Sequence, residues 1–321
     1  MKLLFQAEKV KSRSVFRLPE MLVWCGSMAQ DTKGGCHLYF SAWERKYGFD
    51  AWVTHSKIGH AYAETPASEY QFRSWILPGS AGHKAWDRDV THNPAIMKFD
   101  GKYYLYYMGN YSDTSEWWDH RNHQQVGVAW SETPEGPFLR SATPIIEQDD
   151  AVMISNPSVC PMPDGRFLMI YKWVAAKKPA PFYGPVCHGA AFADTPLGPF
   201  IPVCRNLFSV NRADFPGEDP FVFQKNGKLY CLVKDNGRNY SELSKALILF
   251  ESLNGIDWKK LGAALSRDLI FEDGKRKRFF RMERPQLVSC HNRLRLFCAI
   301  KPSSVSDDSF SLNFELKTNL F

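Results

Sequence analysis

The chain has 321 residues, 44% of them apolar and 14% aromatic, with 40 Lys and Arg against 34 Asp and Glu for a net charge of +6. That apolar share can fill a large core, yet no stretch approaches the roughly 18 continuous apolar residues of a membrane span. The mild positive surplus permits an anionic ligand without requiring one, and it excludes the strongly basic character of a chain built to coat nucleic acid.

The N-terminus, MKLLFQAEKVKSRSVF, turns charged within eight residues and lacks the apolar centre and cleavage site of a secretory leader, so the expectation is a cytoplasmic chain. Residues 1–20 read as strand-forming. From Trp24 a phrase begins that recurs along the chain: WCGSMAQDTKGGCHLYFSAW from Trp24, HNPAIMKFDGKYYLYYMG from His92, SNPSVCPMPDGRFLMIYKW from Ser155, EDPFVFQKNGKLYCLVKD from Glu218 and ERPQLVSCHNRLRLFCAI from Glu283. Each copy is an apolar run, a turn and a second apolar run of strand length. The turns Asp100-Gly101, Asp164-Gly165 and Asn226-Gly227 are hairpin signatures, because they supply positive φ at low cost.

Counted from the residue before each proline, Asn93, Asn156, Asp219 and Arg284 are 63, 63 and 65 residues apart, and Gly26 lies 67 before Asn93. A second phrase follows in most copies, as in VGVAWSETPEGPF from Val126 and GAAFADTPLGPF from Gly189, and it adds a third strand, a Pro or Gly turn and a short fourth strand. Five such units predict an all-β fold, a five-bladed β-propeller with four-stranded antiparallel blades around a central channel. The repeat leaves no room for a second fold, so 1–321 is expected to be one domain, with 1–20 and 303–321 supplying ring-closing strands.

Two other features carry less. The basic run Lys275-Arg276-Lys277-Arg278 falls in a predicted loop between blades four and five and reads as a solvated hairpin tip, so no nucleic-acid or membrane partner is expected. The eight cysteines, with Cys36, Cys160, Cys231 and Cys298 inside predicted strands, show no CxxC pair and read as buried reduced thiols.

In a propeller the first strand of every blade lines the channel. The opening residues should therefore gather at one mouth: Trp24, Cys25 and Gly26, His92 and Asn93, Ser155 and Asn156, Glu218 and Asp219, Glu283 and Arg284. Second strands return to the same face and bring Trp43, Asn110, Lys172, Lys234, Asp235 and Lys301 to its rim. Asn93 and Asn156 either cap a turn or touch a ligand. Glu218 and Glu283 resist ionising together in one channel, and Lys172, Lys234 and Lys301 suggest a cationic collar.

These openings, x-Asp-Pro or Glu-x-Pro before an apolar run and a DG-K-Y-Y-L turn, resemble the five-bladed glycosidases, chiefly glycoside hydrolase family 43 and the related family 117. The resemblance covers residues 20 to 302. It implies a glycoside hydrolase acting on an oligosaccharide, with Glu218, in Glu218-Asp219-Pro220, as general acid. The family's pKa-modulating Asp falls at Asn156, and its base falls at Gly26, which has no side chain, so Asp87, Asp89 and Glu283 are the candidates for a base. The resemblance also implies site roles for His55 and His92, and it allows a divalent cation such as calcium in the central channel, with no cofactor required.

On this reading the chain removes a terminal, acidic or sulfated, sugar by general acid/base catalysis with inversion. Asp219 and Glu283 would raise the pKa of Glu218, and Trp24, Trp43, Trp117 and Trp118 would offer flat faces to the sugar. The alternatives are a phosphate-dependent glycoside phosphorylase and a non-catalytic carbohydrate-binding propeller.

Overall fold

The computed structural model describes residues 3–80, 82, 84–210, 213–290 and 292–320; residues 1, 2 and 321 of the expected ring-closing segments lie outside the described residues. From the axis outwards, blade 1 uses Met21–Gln30, Cys36–Glu44, Lys57–Ala63 and Gln71–Leu77, and blade 2 uses Val90–Phe99, Lys102–Asn110, Gln125–Ser131 and Leu139–Arg140. Blade 3 is Ala151–Pro161, Phe167–Ala175, Val186–Ala193 and Ile201–Leu207, and blade 4 is Gly217–Lys225, Lys228–Asp235, Leu247–Ser252 and Lys259–Leu265. In blade 5, Arg281–Cys290, Arg293–Lys301 and Phe310–Lys317 are followed by two short N-terminal strands, Gln6–Ala7 and Val15–Phe16, both antiparallel to Phe310–Lys317. The two chain ends thus pair in one sheet, and the molecule is a five-bladed β-propeller.

Each seam between blades holds its own apolar cluster. Leu105 and Tyr107 meet Tyr39 and Ile58 between blades 1 and 2, for example, and Cys231, Val233 and Ile248 meet Leu168 and Ile170 between blades 3 and 4. Both faces of each sheet are therefore buried, which is why the second strands read as unbroken apolar runs such as YYLYYM. The Thr-Pro turns of the second repeated phrase serve the seams as well. Tyr39 of blade 1 donates its hydroxyl to the Pro134 carbonyl of blade 2, and Tyr106 of blade 2 donates to Pro196 of blade 3, both at 2.7 Å.

The basic run lies on a small hairpin, Asp268–Ile270 with Arg276–Arg278, where Arg278 grips Asp268 through two bonds of 2.9 and 2.8 Å. All eight cysteines are free thiols. No helix among the described residues is long and apolar enough to cross a membrane.

One irregularity repeats in all five inner strands. The pairing register slips between Trp24 and Ser27, His92 and Ala95, Ser155 and Ser158, Glu218 and Phe221, and Glu283 and Gln286. Every slip holds one non-glycine residue at positive φ: Cys25 at 66°, Asn93 at 53°, Asn156 at 52°, Asp219 at 56° and Arg284 at 52°. Such backbone costs on the order of 1–3 kcal/mol per residue, and bulges of this kind re-aim side chains. The blade-one member of the set is Cys25, not Gly26. Gly26 takes the place that proline holds in the other four blades.

Candidate active site

The five bulge residues turn their side chains to the axis and bond to one another. The Cys25 thiol donates to Asn93 Oδ1 at 2.9 Å, Asn93 Nδ2 donates to Asn156 Oδ1 at 2.7 Å, and Asn156 Nδ2 donates to Asp219 Oδ1 at 2.8 Å. The Arg284 amide donates to Asp219 Oδ2 at 3.0 Å, and Arg284 Nη2 reaches the Asn93 carbonyl at 3.4 Å. This ring divides the axial channel into a cleft on one side and a smaller cavity on the other.

The cleft is lined by Trp24, Trp43, Phe49, Trp52, His92, Asn93, Asn156, Lys172, Glu218, Asp219, Arg281 and Glu283, with a free volume of about 70 Å³. Its walls differ. Blades 1 and 2 present aromatic rings: Phe49 packs edge-on against Trp24 at 5.3 Å, and Trp52 stacks on His92 at 4.9 Å. His92 Nδ1 is paired with Ser56 Oγ at 2.7 Å, and burial, with Arg284 and Lys172 nearby, holds its pKa well below the usual histidine value. The ring is neutral at pH 7, and Nε2 is the nitrogen left for a ligand.

Blades 3 to 5 present charge. Lys172 Nζ donates to Glu218 Oε1 at 2.8 Å, and Lys234 Nζ lies 3.5 Å from Glu218 Oε2 while also bonding Glu283. Arg281 Nη1 stands 3.6 Å from the other Glu283 oxygen. Burial pushes the Glu218 carboxyl up, but Lys172 and Lys234 outweigh it and hold its pKa at about 2. This corrects the expectation of a raised value, which counted the neighbouring acids and not the lysines between them. The raised acid is Asp219, moved to about 6 by burial and by Glu218. Burial also works against the Lys234 ammonium, and Glu283, Glu218 and Asp219 overcome it and raise its pKa.

Several residues expected at the mouth are engaged elsewhere. Asp87 is buried under blade 2, accepting from the Tyr107 hydroxyl and Arg140 Nη1 at 2.8 Å each. Asp89 caps the Ser112 amide at 2.8 Å, beside Arg88. Neither lines the cleft, so neither is placed to act as its base. His55 is exposed and stacked on Tyr47 at 3.9 Å. Asp235 accepts the amides of Gly237, Asn239 and Tyr240 and so shapes a turn. Lys301 bonds the Ser306 carbonyl and covers the outside of Phe49 at 4.2 Å.

Asn110 is tied to the Val53 carbonyl and His120. Trp117 donates to the Asp50 carbonyl and Trp118 packs on Phe182, and neither reaches the cleft. Arg284 belongs to the ring and to the cavity beyond it.

Three cleft residues escape the sequence reading. Phe49 and Trp52 sit on residues 45–56, the connection between the second and third strands of blade 1, which the repeated phrases do not include. Arg281 was legible: it lies two residues before Glu283 on the same strand, and alternation puts both on one face.

Glu218, Asp219 and Glu283 offer oxygens within 4.8 Å of one another, a spacing that could hold a metal ion. Lys234 already bridges two of these carboxylates, so a divalent cation would have to displace its ammonium.

No protein-family model and no curated protein matches the chain. Solved structures do. A family 117 glycoside hydrolase produced by the marine bacterium Zobellia galactanivorans aligns with a TM-score of 0.66 and 17% identity over 98% of this chain and 91% of that one. An endo-arabinase from Bacteroides thetaiotaomicron gives 0.63 and 13% over 97% of each chain. A family 43 β-xylosidase/α-arabinofuranosidase from a compost metagenome, in complex with xylotriose, gives 0.64 and 14% over 98% and 96%. At these identities the likeness is one of fold.

The lysine contacts make a direct prediction. Lys172→Met should raise the Glu218 pKa from about 2 toward its ordinary 4.5, read by carboxyl-carbon NMR across a pH titration. A depressed folded pKa gives stability that is present above about 4.5 and lost as pH falls toward 2, so the variant should also lose less stability over that window. An unmoved Glu218 titration would show that Lys172 is not the cause.

Proposed function

We propose that this chain is a glycoside hydrolase that removes a terminal sugar from an oligosaccharide in the axial cleft, with Glu218 as proton donor. The observation that carries the reading is the cleft's division into an aromatic wall and a carboxylate wall. Sugar rings offer apolar faces to aromatic rings and hydroxyl edges to charged groups, and Glu218 faces that space from the Glu-Asp-Pro opening of blade 4. A volume of about 70 Å³ is room for two or so waters, so a sugar enters by displacing solvent and shifting the Phe49–Trp52 segment. A cleft floored by the polar ring and narrowed by that segment favours a chain end over a chain interior.

Donation requires a protonated carboxyl, and Lys172 and Lys234 keep Glu218 ionised in the free protein. An acidic or sulfated substituent on the sugar would draw those ammonium groups to itself and let Glu218 take up a proton. Glu283 is the partner carboxylate. One of its oxygens lies within 4.8 Å of one of Glu218, a close approach of the kind a retaining pair makes, its carboxyl groups standing roughly 5–5.5 Å apart. Held by Lys234 and Arg281, it is suited to attack the anomeric carbon as the glycosidic C–O bond breaks and Glu218 protonates the leaving oxygen; water, giving its proton back to Glu218, then cleaves the glycosyl-enzyme ester. The spacing thus supports retention in place of the inversion that the family resemblance implies.

A second reading, a phosphate-dependent phosphorylase, draws on Lys172 and Arg281 in the cleft, with Lys234 behind them, facing a wall that carries no carboxylate among the described residues. There an anion would supply the nucleophile. Turnover that vanishes in phosphate-free buffer would select it over hydrolysis.

Glu218→Gln should lower turnover by roughly 10²–10⁴ while sugar binding persists, measured by reducing-end release and calorimetry on an oligosaccharide panel. Near-normal turnover of the variant would remove Glu218 as the acid. A wild-type chain that binds sugars and never turns them over would instead mark a carbohydrate-binding propeller. For an active chain, proton NMR of the first product formed should show the anomeric configuration of the substrate; an inverted product would rule out Glu283 as nucleophile.

A further inference from the structure

On the far side of the polar ring the axial channel continues as a cavity of about 30 Å³, lined by Cys25, Gly26, Ser27, by Pro94, Pro157, Pro220 and Pro285 with their following residues, and by Arg284 and Gln286. That is room for one water-sized species. The polar groups around it have an uneven capacity. Ser27 Oγ accepts the Ile96 amide of blade 2 at 2.8 Å, Ser158 Oγ accepts the Val222 amide of blade 4 at 2.9 Å, and Gln286 Oε1 accepts the Met28 amide of blade 1 at 2.5 Å.

Each of these side chains spends acceptor capacity on a neighbouring blade and keeps its own protons: a hydroxyl hydrogen on each serine and the Gln286 amide hydrogens. Four prolines contribute no N–H and no charge.

Arg284 completes the set. Its side chain is buried, with 8% of the residue's surface exposed, and Nη1 has no hydrogen-bond partner. Asp219 Oδ1, at 3.5 Å, is its nearest counter-charge, and Asp219 lines the cleft above and not this cavity. The guanidinium also stands beside the Cys25 thiol, which is a weak acceptor. A buried guanidinium nitrogen with no hydrogen bond, its carboxylate counter-charge 3.5 Å away, still has donor hydrogens to satisfy, and an ion or ordered water is their usual partner.

We propose that this cavity binds a small monovalent anion of the size of chloride, held by Arg284 Nη1 and the hydroxyls of Ser27 and Ser158. Ser27, Ser158, Gln286 and Arg284 line a space that no carboxylate lines among the described residues. Calcium requires six to eight oxygen ligands, and this lining does not fit it. The divalent ion implied by the family resemblance therefore has no suitable ligand set here. The proposal is independent of the reaction in the cleft.

The test uses halide specificity. Crystals of the full chain soaked in sodium bromide should show an anomalous peak within hydrogen-bond distance of Arg284 Nη1. The melting midpoint should rise by several degrees when sodium chloride replaces sodium gluconate at equal ionic strength, since gluconate is too large for the cavity. Arg284→Met should abolish the halide response. Should that variant not fold, Ser27→Ala and Ser158→Ala should each weaken the response roughly tenfold, the loss of one hydrogen bond to a charged ligand. A map without an anomalous peak, or a halide-independent midpoint, would leave only a water at the site and overturn the proposal.

Discussion

Five inner strands each carry one residue too many at the same height, and the backbone absorbs it at positive φ. The penalty falls on residues of quite different kinds, a cysteine, two asparagines, an aspartate and an arginine. What holds them is closure: each side chain bonds its neighbour in the next blade or across the ring, so relaxing one would unpair the others. The bulges also turn the residues just before them, His92, Glu218 and Glu283 among them, into the cleft, and leave the residues just after them to line the cavity beyond. The toroid brings the strands together, and this ring sets which groups face which space.

Above the ring, charge decides the chemistry. Glu218 lies between two lysines from blades 3 and 4, and Lys234 is shared with Glu283 of blade 5. Removing one partner of a buried pair typically costs about 3–5 kcal/mol, because the other is left uncompensated. The cleft is therefore arranged around opposite charges already matched, and a ligand has to exchange partners to enter. Such a site favours molecules that bring their own negative charge or can bond both a lysine and a carboxylate.

Much of this was legible in the sequence. The period, the Asp-Gly and Asn-Gly turns and the alternation of phrases determine the strands, and the inner-strand rule places Glu218, Asp219, Glu283, His92, Asn93 and Asn156 at the axis. The blade-one offset was not, because proline served as the ruler and blade 1 has Gly26 in its place. The hydroxyl pattern would have served better: Ser27 and Ser158 both stand two residues after the bulge residue, and both bond the next blade. Phe49 and Trp52 ride on the connection between the second and third strands of blade 1, whose sequence is not shared between blades, so periodicity says nothing of it. Asp87 and Asp89 are base candidates only because Gly26 has no side chain, and Asp235 is a rim candidate by strand position, whereas their hydrogen bonds to Arg140, Ser112 and the turn at Gly237 place them in the scaffold. The pKa of Glu218 turned on which lysine meets which acid across a seam, a contact between chain segments 46 residues apart that no local pattern encodes.

The ring and its bulges present Glu218 to a sugar lying against the blade-one aromatics. The most direct measurement is a crystal structure of the Glu218→Gln chain soaked with an oligosaccharide that it binds. The map should show a terminal sugar packed on Trp52 and Phe49, its glycosidic oxygen within hydrogen-bond distance of the residue 218 side chain. Sugar density elsewhere on the propeller, with the cleft holding only solvent, would contradict it.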